Sequence, residues 1–570
     1  MKRGRKHGKS RDTTDLAPYH HIMPCADCSP TFTALKKFKQ CQLWYKVRTN
    51  QYPFASEHTE LTEIVSHAEK EISKYSDRIA QLHEQIVALE NEQKKLKQQI
   101  HLAKSLMTPV RQFPPEVLRQ IFLQNRTNVI NLHHGPHIPG CVIPGMKLAA
   151  VCSHWRSIAR ATTELWNIID ITFGPDDESM DSLIAGRLVA NILRLSGKSH
   201  LDITINLPHQ SVWDLLVVQT LCRHADRWQS LRGCCDDPQA SFFTYLRHLE
   251  GRVNQLHTFT FSAGEVLRML RHAPKLHTLA LSNYRSEEPL FPCEQLRHLT
   301  IDKSSLGDIL QVVKQAANLE TLELFGDFGD MWWDHEPVIH PKITSLHIIM
   351  LCQIEAGEDS LSAPLAYLTL PKLSSLCLEF DGWDNQGGYI TDWITRWSYD
   401  LLPTFISHSP ALTSLRLLRI WMPINHLISL LQSIPTLTTF ELEEHDGLHG
   451  DPVGSMITND LLEVLNCHQI RQPILTGLTS LSLGMCLPTS FSFTLFCEVI
   501  RSRWNPSSSS ESPLVKDDES DIACIKTVKL KILYDTISWS LVQPLMILRK
   551  RGLDISVEDV GGLLGLVEDE

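Results

Sequence analysis

An apolar motif of the form Leu-x-x-Leu-x-Leu returns along the second half of this chain and limits its possible folds more than any other feature. The first copies are Leu256-Phe259-Phe261, Leu276-Leu279-Leu281, Leu296-Leu299-Ile301 and Leu319-Leu322-Leu324, which begin 20, 20 and 23 residues apart. Further copies are Ile343-Leu346-Ile348, Leu373-Leu376-Leu378, Leu412-Leu415-Leu417, Leu437-Phe440-Leu442, Leu478-Leu481-Leu483 and, less regular, Ile525-Val528-Leu530. The last two apolar residues of each copy lie two apart, so a strand carries both on one face. A unit this short cannot bury that face alone and needs a neighbouring copy on each side.

A period of roughly 20 to 29 residues is that of leucine-rich repeats. The segments EVLRMLRHAP, DILQVVKQAA and HLISLLQSIP stand before three of the copies and carry helical apolar spacing. The expectation for residues 169–570 is therefore of α/β class: an irregular leucine-rich-repeat solenoid of short parallel strands with helices behind. The usual Asn or Cys three residues after the last leucine is replaced by Tyr284, Ser304 and Asp327. Later spacings stretch to 30, 39 and 47 residues, so insertions interrupt the array. They include residues 326–341, with Trp332 and Trp333 as an exposed anchor or a packed cover, and the Ser-rich stretch 505–520, expected to be flexible. Polar residues beside the strand leucines are the candidate target contacts: His298, Thr300, Glu323, His347, Glu379, Arg416 and Glu441. Each also fits an ordinary solvated strand position.

A second period governs residues 56–106. Apolar residues alternate at spacings of four and three from Leu61 through Val65, Ala68, Ile72, Tyr75, Ile79, Leu82, Ile86 and Leu89 to Leu96, Ile100 and Ala103. With Ile72, Ile79, Ile86 and Ile100 at heptad position a, Leu82, Leu89 and Leu96 fall at d, the arrangement of a parallel two-stranded coiled coil. Gln93 alone breaks the a column. A polar residue there lowers stability and penalises wrong register. The rod would be roughly 65 Å long. One long helix folded onto its own domain is the alternative. Pro109, Pro114 and Pro115 end the helix, since proline lacks the amide donor and clashes inside a helix.

Pro115 and Glu116 suit a new first turn, by fixed backbone angle and by charge at the positive end of the helix dipole. Val117, Leu118, Ile121 and Phe122 form its apolar face. A second helix is expected at about 146–160, with Leu148, Val151, Cys152, Trp155, Ile158 and Ala159 on one stripe, and Leu165 and Trp166 close the module. The intervening residues 125–146 read as a surface loop; His133, His134, His137 and Cys141 do not complete a metal set there.

FPPEVLRQIF at 113–122, LAAVCSHWRSIA at 148–159 and LW at 165–166 together resemble the F-box, with its Leu-Pro-x-Glu start and later Val-Cys-x-x-Trp-Arg core. Heptads directly before the box, and RTNQYP at 48–53, are similar to the F-box proteins of mushroom-forming fungi. The resemblance covers residues 42–172 and implies a small all-α F-box domain at 107–168. Phe113 stands where the family has Leu, and the segment 125–146 is longer than the usual loop. F-box modules bind the Skp-family adaptor of Skp–cullin–F-box ubiquitin ligases. The resemblance therefore implies that Pro114, Pro115, Leu118, Ile121, Val151, Cys152 and Trp155 build or contact that interface, with Cys152 and Trp155 also fitting the module's own core.

Residues 1–55 show no period and read as a tail whose basic cluster, Lys2 to Arg11, fits a nuclear-import signal or a solvated end. Cys25 and Cys28, with His20, His21 and Cys41, offer one metal knuckle where zinc usually takes two, so zinc or an incidental pair both fit. The net charge of -11 opposes non-specific attraction to nucleic acid or an anionic membrane, which leaves protein as the expected partner. Fifteen irregularly spaced cysteines suit reduced thiols, and no apolar run is long enough to span a bilayer. The expected location is cytoplasmic or nuclear. Phosphate loops, dinucleotide loops, metalloprotease helices and nucleophile elbows are missing from the sequence. No metal or cofactor is expected. The reading is a non-catalytic adaptor recruiting an unknown protein to a ubiquitin ligase and able to form a homodimer through the coil. A dimeric scaffold uncoupled from any ligase, and an enzyme within the repeats, are the alternatives.

Overall fold

The computed structural model describes residues 45–131, 141–172, 182–207, 215–235, 245–261, 264–282, 284, 291–326, 328, 336–351, 362–381, 399–444, 455–468, 473–485, 491–504, 522–533, 539–559 and 562–563. The basic cluster at 2–11, Cys25, Cys28, Cys41, His20, His21, His133, His134, His137, Asp327, Trp332, Trp333 and the stretch 505–520 lie outside them. The chain divides into two compact units, Met1–Phe113 and Pro114–Glu570.

In the first unit the heptad segment is one helix, α1 (Ala55–Leu106, 52 residues), about 78 Å long at 1.5 Å per residue. Its start is fixed by Glu57, whose carboxylate accepts the Phe54 backbone N–H at 3.2 Å and the Lys46 ammonium at 2.9 Å. A short 3-10 turn, Pro109–Gln112, follows its end. No residue of α1 is buried.

The second unit is mixed α/β and is organised by one sixteen-stranded sheet. Its strands are β1 (Thr127–Asn131), β2 (Ile168–Thr172), β3 (Leu201–Leu207), β4 (Trp228–Cys235), β5 (Thr258–Phe261), β6 (Thr278–Ser282), β7 (His298–Asp302) and β8 (Thr321–Gly326). A separate pair, β9 (Val338–Ile339) and β11 (Leu368–Thr369), lies outside the main sheet. The main sheet continues through β10 (Ser345–Leu351), β12 (Ser375–Asp381), β13 (Ser414–Leu418), β14 (Thr439–Glu443), β15 (Ser480–Met485), β16 (Thr527–Ile532), β17 (Asp554–Asp559) and β18 (Gly562–Leu563). Strands follow chain order and pair in parallel up to β17, and β18 closes antiparallel.

All ten copies of the apolar motif are strands of this sheet, and their register is continuous. Leu279 pairs with Leu299, then Leu322, Leu346, Leu376, Leu415, Phe440, Leu481, Val528 and Ile555 follow in one row. Every member of that row is buried. In eight of the ten motifs the first leucine closes a tight turn, donating its N–H to the carbonyl three residues back, as Leu276 does to Ala273, Leu319 to Ala316 and Leu412 to Ser409, whereas Ile343 donates to the His340 ring and Ile525 to the Arg503 carbonyl. The next residue then bonds to the previous strand's start. In the four copies from Leu373 to Leu478 this residue is Thr or Ser, and its hydroxyl adds a second bond to the same carbonyl: Ser374 to Thr344, Thr413 to Ser374, Thr438 to Thr413 and Thr479 to Thr438, at 3.0–3.1 Å. Parallel strands need a return segment. Leu306–Gln315 and Ile424–Gln432 are α-helical returns as their sequence suggests, whereas Gly264–His272 is a 3-10 helix. That copy is only 20 residues after its predecessor. A rise of about 2.0 Å per residue covers the return with fewer residues than an α-helix. The parallel sheet with returning helices is compatible with a solenoid-like repeat.

Four strands precede the first recognised copy. In β4, Gly233 stands in the inward position that carries Phe261 in the paired strand β5. A Cβ there would lie 1.9 Å from the Ile205 carbonyl oxygen and 2.8 Å from the Phe261 ring. Replacing Gly233 with alanine must therefore displace backbone. A loss of about 3 kcal/mol is expected, read as a lower urea midpoint with an unchanged slope.

The helical module opens this unit with α2 (Pro115–Leu123), α3 (Pro144–Val151) and α4 (Ser153–Ala161). The single helix expected at 146–160 is thus two. Cys152 between them is extended, and its thiol sulfur accepts the Trp155 N–H at 3.4 Å, taking the place of a hydroxyl helix cap. The loop expected over 125–146 is also corrected: it contains β1, the first strand of the sheet, and Val129 exchanges backbone bonds with Val142 at 2.9 and 2.8 Å. The Asn128 side chain is buried beside it and donates to the carbonyls of Arg126, Leu165 and Ile168. Trp166 joins the same core, donating to the Ala159 carbonyl at 2.8 Å, and its ring occupies the space a Cβ on Gly145 would need. The module and the sheet are one unit because they share these residues.

Candidate functional site: the helical module and the polar strand face

In the module, an amphipathic α2 buries Leu118 and Phe122 and exposes Val117 and Ile121. Phe122 meets the half-buried Trp155 of α4 with ring centroids 5.0 Å apart. Of the residues singled out in sequence, Leu118 is wholly inside and can only support the surface from below. Pro114, Pro115 and Ile121 are exposed along the start and outer side of α2, and Val151 is exposed at the end of α3. Cys152 and Trp155 are half-buried between the helices, so both can pack inward and still present an edge. Exposure reaches 43% at Val117, 48% at Ile121 and 60% at Val151. Large apolar side chains left exposed on a small module are a feature of interaction surfaces. Arg119 and Glu164, 2.6 Å apart, tie α2 to the 3-10 turn Thr163–Leu165.

Along α1, Ile72, Ile79, Leu82, Ile86, Leu89 and Leu96 are exposed. Gln93 accepts from Lys97 of its own helix at 3.1 Å.

On the strand face opposite the leucines, the parallel register makes rows of polar residues. One row runs Thr300, Glu323, His347, Cys377, Arg416, Glu441 and Ser482 across β7, β8, β10, β12, β13, β14 and β15. Six of the seven predicted target contacts take part in this row or the next. Thr300 donates to Glu323 at 3.1 Å, His347 lies 3.0 Å from Glu379, and Arg416 donates to Glu441 at 2.5 Å. His298 is set apart, one row nearer the strand starts and paired with Thr278 and Thr321.

The structure adds residues the sequence did not single out. Arg419 follows β13 with a positive φ of 57°, a conformation uncommon outside glycine and asparagine. Its guanidinium bonds the Glu379 carboxylate and the Phe380 carbonyl, the latter at 2.8 Å. Lys531 of β16 reaches Glu443 at 3.2 Å, across the intervening β15. Cys377 sits beneath this network, and burial pushes its thiol up to about 12, with the Arg416 charge pulling weakly the other way. Burial is the largest influence on Arg416 and works against its charge, but the hydrogen bond to Glu441 and the charges of Cys377, Glu441 and Glu379 together outweigh it and raise the group above its ordinary value. The face thus carries ion pairs that link side chains of neighbouring strands.

No helix among the described residues is long and apolar enough to cross a membrane. No model of a known protein family matches this chain, and no curated protein matches it.

Proposed function

We propose that this chain is an F-box substrate-recognition subunit, which binds a Skp-family adaptor and through it a cullin ubiquitin ligase, and which holds a target protein on the strand face. The observation that carries the reading is the exposure of Val117, Ile121 and Val151 in a module where Leu118 and Phe122 are buried and Phe122 packs on Trp155, on the segment whose sequence resembles the F-box. The stacked repeats then serve as an irregular leucine-rich-repeat surface, with Glu323, His347, Glu379, Arg416 and Glu441 as its charged centre. On this reading the chain positions a substrate and catalyses nothing itself. Co-expression of the full chain with a Skp-family adaptor from a mushroom-forming fungus tests it. A stable complex of equal stoichiometry is expected, and separate elution of the two proteins overturns the reading.

The exposed apolar seam of α1 favours a second property, pairing of two copies as a parallel coiled coil. Pairing without adaptor binding would instead describe a dimeric scaffold.

A further inference from the structure

We propose that His347, Cys377 and Glu379 form a zinc site on the polar face of the sheet, with three protein ligands and a fourth position open to solvent. Their potential ligand atoms, one each of nitrogen, sulfur and oxygen, all lie within 4.8 Å of one another. Parallel register creates the arrangement. His347 and Cys377 are direct partners on β10 and β12, and Glu379 stands two residues beyond Cys377 on the same face of β12. Three side chains so placed converge from a triangular base. Because they come from a continuous sheet, the backbone holds the base fixed.

Distances decide how much must move. Tetrahedral zinc takes nitrogen and oxygen at about 2.0–2.2 Å and sulfur at about 2.3 Å, so its ligand atoms stand roughly 3.3–3.7 Å apart. The His347 nitrogen and the Glu379 oxygen are already 3.0 Å apart. They need to open slightly around an ion. The sulfur needs to close by at most about 1 Å, within reach of a side-chain torsion. On binding, the Cys377 S–H bond breaks, its proton passes to solvent, and the sulfur electron pair forms the metal bond.

The surroundings match what a metal requires beyond its ligands. Glu379 uses one carboxylate oxygen toward His347 and the other toward Arg419, which is itself anchored on the Phe380 carbonyl. Arg419 would thereby hold the carboxylate in place, as outer partners do for metal ligands. Glu323 stands opposite His347 in the register of β8 and accepts from Thr300, and Glu441 neutralises Arg416 beside Cys377. A divalent ion therefore meets compensated charge rather than a bare cationic flank. The donor set discriminates by class: imidazole and thiolate suit zinc and its transition-metal neighbours, whereas magnesium and calcium prefer all-oxygen sites. The assignment is independent of the adaptor reading, because it rests on three residues of the sheet alone.

Cobalt(II) serves as the spectroscopic probe for zinc. The reduced full chain, freed of metal by a chelator that is then removed, is titrated with cobalt and back-titrated with zinc. The variants His347→Ala, Cys377→Ala and Glu379→Gln are compared with wild type, each checked for unchanged circular dichroism. Other cysteines can contribute bands, so the difference between proteins is the readout. Wild type is expected to bind one equivalent more than His347→Ala, with a thiolate-to-cobalt charge-transfer band that disappears in Cys377→Ala. Affinity for the extra equivalent should fall more than about 100-fold in Glu379→Gln and about 10-fold in Arg419→Gln, which keeps all three ligands. Equal stoichiometry and identical spectra in wild type and folded His347→Ala overturn the site. If Cys377→Ala does not fold, His347→Ala and Glu379→Gln still decide the matter.

Discussion

Aspartate at Ile121 or Val151 is expected to abolish recovery of a Skp-family adaptor while leaving the chain folded. Both side chains are about half exposed or more, so the folded chain gives up little by losing them. An interface would have to desolvate the new carboxylate against apolar partners. Loss of a central apolar contact costs about 2–4 kcal/mol, and each 1.4 kcal/mol is roughly a factor of ten. Affinity should fall by roughly 30- to 1,000-fold. Val117→Asp should behave likewise. Leu118 is the contrasting case, because it is fully buried: Leu118→Ala should lower stability by about 2–5 kcal/mol and affect binding only through that loss. Pull-down and calorimetry on the exposed variants, with circular dichroism alongside, separate the two effects. Undiminished adaptor binding by Ile121→Asp and Val151→Asp together would remove this surface from the proposed interface.

The leucine-based copies were legible because leucine marks both the tight turn and the inward strand positions. The strands before them were not, because their inward positions are Ile169 and Ile171 in β2, Ile203 and Ile205 in β3, and Leu231 followed by Gly233 in β4. Isoleucine on a short alternating strand looks like any half-buried sheet. Only the neighbouring copies show that it continues the same stack. The break at Cys152 was hidden for a different reason: helical spacing runs straight through it, and a thiol is not a residue one expects to cap a helix. Arg503, the last residue of the helix Phe493–Arg503, is a charged residue held inside: it is buried and donates to the carbonyls of Leu465, Ile474 and Leu475, all at 2.8 Å. Those acceptors come from distant segments that the sequence does not place together.

The polar face was legible residue by residue and illegible as a network. Alternation alone marks Glu323, His347, Glu379, Arg416 and Glu441 as outward. That His347 meets Glu379, and that Cys377 lies beside both, depends on a register spanning 30 residues of chain. Arg419 escaped notice because it stands just beyond its strand and reaches back through a left-handed turn.

Lysine at both Ile79 and Ile86 is expected to convert a dimer of this chain into monomers and to lower the helix content of residues 55–106. The seam that these residues occupy is exposed from Ile72 to Ile100, and Ile at a with Leu at d favours two parallel strands. Glu92 and Lys97 stand at g and the following e, positions that meet with opposite charge across such a pair. A double substitution removes four isoleucines from the dimer core, at about 1.5–3 kcal/mol each. The sum of roughly 6–12 kcal/mol compares with about 8 kcal/mol for a micromolar dimer, so dissociation should be essentially complete at micromolar protein. Gln93→Ile should act in the opposite direction, stabilising association while loosening the choice of register and of two strands over three. Sedimentation equilibrium gives the masses and circular dichroism the helix content. A wild-type chain that stays monomeric at tens of micromolar, or a mass that the two lysines leave unchanged, would show that the seam does not pair two copies.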